Sequence, residues 1–128
     1  MAKEPEAFSI TQRLLSVRHA LDGLWEMLVG DHNARIHLLA SICVVLVASY
    51  FNVTLVEWCL LIFAISFVWV TEALNTALEL LCDLVSAEYH PLIKKSKDVA
   101  AGAVLLSAIG AACVGALIFT PYICDLVG

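Results

Sequence analysis

Three apolar runs, residues 36–51, 55–85 and 99–123, limit the chain to a few architectures. A helix needs about 20 apolar residues to cross a bilayer core. The first run is slightly short of that, so its ends must lean on the interface. The second, at ~1.5 Å per residue, exceeds the ~30 Å core, and one of its ends must project into headgroups or water. Only helices and closed barrels satisfy the backbone in lipid, and no ten-residue alternation of barrel strands is present. Composition agrees: the chain is 62% hydrophobic and 15% charged, with a mean hydropathy of +0.92. A soluble domain of this size cannot hide so much apolar surface, and a disordered chain has the opposite balance. The expectation is a single all-α membrane domain over 1–128. A net charge of −5 gives no electrostatic case for nucleic acid. The five cysteines stand singly in apolar stretches without a CxxC pair, as small hydrophobes do.

Basic residues set the orientation. Lys3, Arg13, Arg18 and Arg35 precede the first run, and Lys94, Lys95 and Lys97 lie between the second and third. The hairpin 52–54 and the tail after Pro121 have none. The N-terminus and the 86–98 loop are therefore expected on the cytoplasmic side, and the hairpin and C-terminus outside. Ahead of the first run, Ile10, Leu14, Val17, Leu21, Leu24 or Trp25, and Leu28 recur every three or four residues. This is one apolar helical face, expected as an amphipathic surface helix over 8–33, with Ser9 or Thr11 as its cap. In the third run, Ala103, Ser107 and Ala111 form one small-residue ladder and Ala108, Ala112 and Ala116 another. Such faces let membrane helices approach closely, and a three-span chain has few internal neighbours, so self-association is expected.

The second half of the second run carries polar residues that lipid does not tolerate. Glu72, Asn75, Glu79 and Asp83 fall on one helical face. A charge at mid-bilayer costs at least ~2.5 kcal/mol, so the stripe must face a polar cleft, a metal or cations. Lys94, Lys97 and Asp98 follow on the same side, and Asp31 and Arg35 stand at the entrance of the first run. Carboxylates with an asparagine are hard oxygen ligands suited to Mg²⁺, and lysines suit phosphate. Together they describe a Mg²⁺–nucleotide site at a membrane surface. No GxxxxGK[ST] or GxGxxG stretch is present, and no HRD or DFG signature. His19, His32, His37 and His90 form no metal pair by spacing and read as interface residues. Glu57 is expected to be solvated at the outer end of the second run. A small oligomeric cation channel or carrier, lined by Glu72, Glu79 and Asp83, is the alternative from these features.

The strings Glu72-Ala-Leu-Asn75-Thr-Ala-Leu-Glu79-x-x-x-Asp83 and Glu88-Tyr89-His90-Pro91-Leu92-x-x-x-x-Lys97-Asp98-x-Ala-x-Gly-Ala-Val104-Leu105 resemble the small prokaryotic integral-membrane diacylglycerol kinases, which include the undecaprenol kinases. The resemblance covers about residues 10–120. It implies a homotrimer with a surface helix and three transmembrane helices per chain, and sites shared between neighbouring chains. It implies a multi-pass protein of the bacterial inner (cytoplasmic) membrane with its site at the cytoplasmic face. ATP, with Mg²⁺, would phosphorylate a membrane lipid alcohol, either diacylglycerol or undecaprenol. By position, Glu72 resembles the catalytic base for the lipid hydroxyl and Glu79 a metal-binding carboxylate. Asn75, Glu79, Lys97 and Asp98, with Lys94, fall to the nucleotide; Glu72, Arg35 and Asp83 fall to the lipid substrate. Asp31 stands where the family usually has a metal-binding Glu, one methylene shorter. The run Asn33-Ala34-Arg35-Ile36-His37-Leu38 is similar to the undecaprenol kinase branch.

Overall fold

The computed structural model describes residues 7–128, so Lys3 lies outside the described residues. Four helices follow one another: α1 (Ile10–Gly30), α2 (His32–Phe51), α3 (Leu55–Val85) and α4 (Pro91–Val127). The last three are each long and apolar enough to cross a membrane. The protein is an all-helical membrane protein.

Each helix boundary has a local cause. Ser9 caps α1 by accepting the Gln12 N–H at 3.4 Å. Asp31 separates α1 from α2 as a single extended residue. Its N–H closes α1 on the Met27 carbonyl at 2.9 Å, and its carboxylate opens α2 by accepting the Asn33 N–H at 2.8 Å. Aspartate is among the best N-cap residues because its short side chain reaches back to the first free amides. Asn52 ends α2 with φ at 49°, in the left-handed region. The Val53 N–H then returns to the Ala48 carbonyl at 3.3 Å, the bond of a Schellman turn. Val53 itself is buried with Ala48, Leu61 and Ile118. Thr54 and Glu57 form a reciprocal capping box at the start of α3.

Glu57 is partly exposed and also bonded within the chain. Its Oε2 accepts both the Thr54 N–H at 2.9 Å and the Tyr122 hydroxyl at 2.6 Å. The helix start supplies amides that need an acceptor, and α4 delivers a phenol to the same oxygen. Residues 86–90 link α3 to α4, where Pro91 takes the first helical position behind the His90 cap. Lys94, Lys97 and Asp98 therefore sit on helix α4, not in a loop. At 37 residues α4 also continues past Pro121 to Val127.

α3 and α4 form the most extensive pairing, and α2 packs mainly on α3. The start of α2, the end of α3 and the start of α4 lie at one end of the bundle. That end carries Asp31, Asp83 and the three lysines. α1 meets only α2 and α3 among the described elements, and its apolar residues Ile10, Leu14, Val17 and Leu21 stay exposed. The hairpin yields the first prediction. Asn52→Gly leaves thermal stability in detergent nearly unchanged, whereas Asn52→Val lowers it by about 1–2 kcal/mol, the cost of a left-handed conformation for a side chain without a local hydrogen bond.

Candidate active site

The largest fully buried side chain among the described residues is a glutamate. Glu72 is 0% exposed, and neither of its carboxylate oxygens has a hydrogen-bond donor. One basic side chain approaches it: His37 Nε2 of α2 lies 3.3 Å from Oε2. The Asp31 carboxyl is also a neighbour. Asn75, one turn further along α3, is also buried, and its Oδ1 is unpartnered. Unpaired buried oxygens are costly, so three of them at one place mark a site rather than a core.

Asp31 is the hinge of this arrangement. Its Oδ1 caps α2, and its Oδ2 accepts the Thr76 hydroxyl of α3 at 3.4 Å. Burial pushes its pKa up, but the neighbouring Glu72 carboxyl, the Asn33 amide and the Thr76 hydroxyl together outweigh burial and hold the carboxyl below its ordinary range. The helix break at Asp31 thus fixes a carboxylate over the end of α3.

From Asp31 a cleft of about 650 Å³ runs between α1 and α3, with Glu26, Thr76, Glu79 and Asp83 on its walls. Gly23, Gly30, Ala73 and Ala77 line it too; their small side chains leave the space that a pair of packed leucines would fill. Asp83 also lines a second cleft of about 380 Å³ with His90, Lys94, Lys97 and Asp98. There Lys97 Nζ lies 2.6 Å from Asp83 Oδ1 and Lys94 Nζ 2.5 Å from Asp98 Oδ2. Exposed ion pairs contribute little, so either lysine can leave its partner at small cost.

The stripe on α3 is therefore graded. Glu72 and Asn75 are buried, while Glu79 and Asp83 open into the clefts. Asp31, Glu72, Glu79 and Asp83 gather at one end of the bundle, beside Lys94, Lys97 and Asp98. Arg35 is engaged elsewhere: its Nε donates to the Leu28 carbonyl at 3.0 Å and its guanidinium also to the Val29 carbonyl. A cation on the last carbonyls of α1 satisfies their free acceptors and the helix dipole. Arg35 thus fastens α1 to α2. The sequence reading took His37 for an interface residue and gave Thr76 and Glu26 no role. Only the crossing of α2 with α3, which spacing along one helix does not encode, brings His37 and Thr76 to the carboxylates.

The donor set suits Mg²⁺, which prefers oxygen, keeps several waters and takes one or two carboxylates plus substrate phosphates. Among the described residues no three histidine, cysteine or carboxylate side chains converge on one point.

Membrane helices that hold unpaired oxygens beside a lysine-flanked cleft define a class: an integral-membrane enzyme with its polar site at one end of the bundle. The profile of the prokaryotic diacylglycerol kinases matches residues 18–119. The chain is 36% identical over 103 residues to the undecaprenol kinase of Bacillus subtilis (strain 168), covering 80% of this chain and 84% of that one. It is 38% identical over 130 residues to the diacylglycerol kinase of Synechocystis, covering 98% and 74%, and 35% identical over 106 residues to that of Helicobacter pylori (strain 26695), covering 82% of each. The chain belongs to the prokaryotic diacylglycerol kinase family and is a lipid kinase.

Asp31 gives the second prediction. A carboxyl whose folded pKa is depressed contributes stability above its unfolded value, and that contribution disappears as pH falls through the folded value. Asparagine caps nearly as well as aspartate, whereas alanine costs about 0.5–2 kcal/mol. In metal-free detergent, Asp31→Ala is thus less stable than Asp31→Asn at every pH. The gap between wild type and Asp31→Asn closes as pH is lowered from 7 through the carboxylate range, as read by thermal unfolding.

Proposed function

We propose that this protein transfers the terminal phosphoryl group of ATP to the hydroxyl of a membrane lipid alcohol, diacylglycerol or undecaprenol, at the cytoplasmic interface of the bacterial inner membrane. One observation carries the reading: a fully buried glutamate without a donor on either oxygen adjoins an open, carboxylate-lined cleft. A carboxylate in that state has lone pairs free to take a proton from a lipid hydroxyl that enters from the apolar side. Glu72 is accordingly the general base. Phosphoryl transfer otherwise needs positioning and charge stabilisation. Lys94 and Lys97 leave their exposed aspartate partners for the phosphates, and Asn75 and Asp98 orient the nucleotide. Asp31 and Glu79 would hold Mg²⁺, which when bound offsets negative charge on the phosphates. Asp83 borders both clefts, between nucleotide and lipid.

The cytoplasmic side is supported by the charge bias of the sequence: Arg13, Arg18 and Arg35 precede or open the first span, and the lysines of α4 follow the second. The apolar face of α1, uncovered within the chain, suits the membrane surface. A homotrimer is supported by α4, where an added Cβ at Gly102 or Gly110 would meet nothing within 4 Å. Those glycines have no packing reason inside one chain and suit a close approach by another. Both lipids stay in the reading, because the relatives named for undecaprenol and for diacylglycerol are about equally similar. Membership of a lipid kinase family does not favour the cation channel.

The test is transfer of labelled phosphate from ATP in mixed micelles, with each lipid supplied separately. The expected result is a labelled lipid only with Mg²⁺ present, and a rate 10²–10⁴-fold lower in Glu72→Gln, the usual cost of losing a general base. Label in neither lipid from folded protein, together with ion flux through reconstituted vesicles, would sink the kinase reading.

A further inference from the structure

We propose that His37 is a positioning residue for Glu72: its Nε2 proton holds the buried carboxylate in the orientation that faces the lipid hydroxyl. The proposal rests on the reading of Glu72 as the base. Glu72 is packed without a donor on either oxygen, and the neighbouring Asp31 carboxyl repels it when both are ionised. A base held only by repulsion rotates away from its work, whereas a catalytic group must stay within about 0.5 Å of its productive geometry. His37 is the one basic side chain within 4 Å of it among the described residues, with Nε2 3.3 Å from Oε2 and only 18% of its side chain exposed.

The backbone around His37 is built to hold that approach. Two side-chain bridges join α2 to α3 on either side of it. Thr76 donates to Asp31 at 3.4 Å, and the Trp69 indole donates to the Ser41 hydroxyl at 3.1 Å. Along α2 the order is Asp31, His37, Ser41; along α3 it is Thr76, Glu72, Trp69. The three crossings form one antiparallel ladder, with the histidine–glutamate contact as its middle rung. Ser41 also donates to the His37 carbonyl at 2.6 Å, which ties the outer rung to the histidine's own backbone. Arg35 and the Asp31 cap fix the start of α2. The imidazole is therefore delivered to the carboxylate by a rigid frame. The 3.3 Å approach falls outside hydrogen-bond geometry in the free enzyme and tightens when substrate arrives, as catalytic contacts commonly do.

The geometry selects the test. Nε2 is the ring nitrogen distant from the backbone, so a glutamine amide reaches its place and an asparagine amide does not. His37→Gln, His37→Asn and His37→Leu are assayed beside Glu72→Gln in full-length protein, with ATP and the lipid that wild type labels. Elution and thermal unfolding in detergent check each fold. The expected result is kcat about 10–100-fold lower in the Leu and Asn variants, the usual cost of losing an orienting partner, with KM for ATP unchanged and kcat restored in the Gln variant. Wild-type kcat in His37→Leu, equal rates in the Asn and Gln variants, or a loss confined to KM for ATP would each overturn the proposal. Each of these outcomes with Glu72→Gln inactive removes the role of His37 alone. Full activity in Glu72→Gln overturns the base and its positioning together.

Discussion

A glutamate sealed among membrane helices sets the terms for the rest of this structure. Putting an ionised carboxyl at bilayer depth costs at least ~2.5 kcal/mol even on lenient insertion scales, and Glu72 is buried to 0% exposure without a hydrogen-bond donor. Packing alone does not offset this. The neighbours instead keep its surroundings polar: His37 from α2, Asp31 from the helix junction, and Asn75 on the next turn of α3. Lower on the same face, Glu79 and Asp83 reach open clefts. The stripe runs from a dry carboxylate to wet ones over three turns.

Asp31 links this chemistry to the fold. One extended residue ends α1, starts α2 and presents a carboxylate to α3. Aspartate is among the best caps, and one of its oxygens is committed to the Asn33 amide. The junction also places the residue on the wall of the larger cleft. Arg35 completes the joint by bonding the last carbonyls of α1, a structural use for a residue that the family resemblance had assigned to substrate.

The helices were legible in the sequence because their causes are local. Apolar runs, Ser9, the Asn52 turn, the Thr54–Glu57 capping box and the His90-Pro91 start all act within a few residues. The carboxylate stripe was legible for the same reason, since Glu72, Asn75, Glu79 and Asp83 obey the period of one helix. What escaped was everything that needs two helices at once. The ladder joining Asp31 to Thr76, His37 to Glu72 and Ser41 to Trp69 pairs residues 28 to 45 positions apart. Its register follows from how α2 settles on α3, not from any pattern along either. Glu57 escaped likewise, because its second partner, Tyr122, comes from α4.

The contrast between the ladder and the lysine pairs shows how the two halves of the site are built. Near Glu72 the contacts are part-buried and span helices, so the backbones of α2 and α3 are held together and only small side-chain adjustments are left. At the outer clefts Lys94 and Lys97 rest on exposed aspartates, in pairs that water and salt weaken. Contacts of the second kind exchange readily with another charged partner, whereas those of the first kind fix a register. The helix ends that carry the lysines are free to exchange partners because the fixed contacts lie deeper, where α2 and α3 are pinned together.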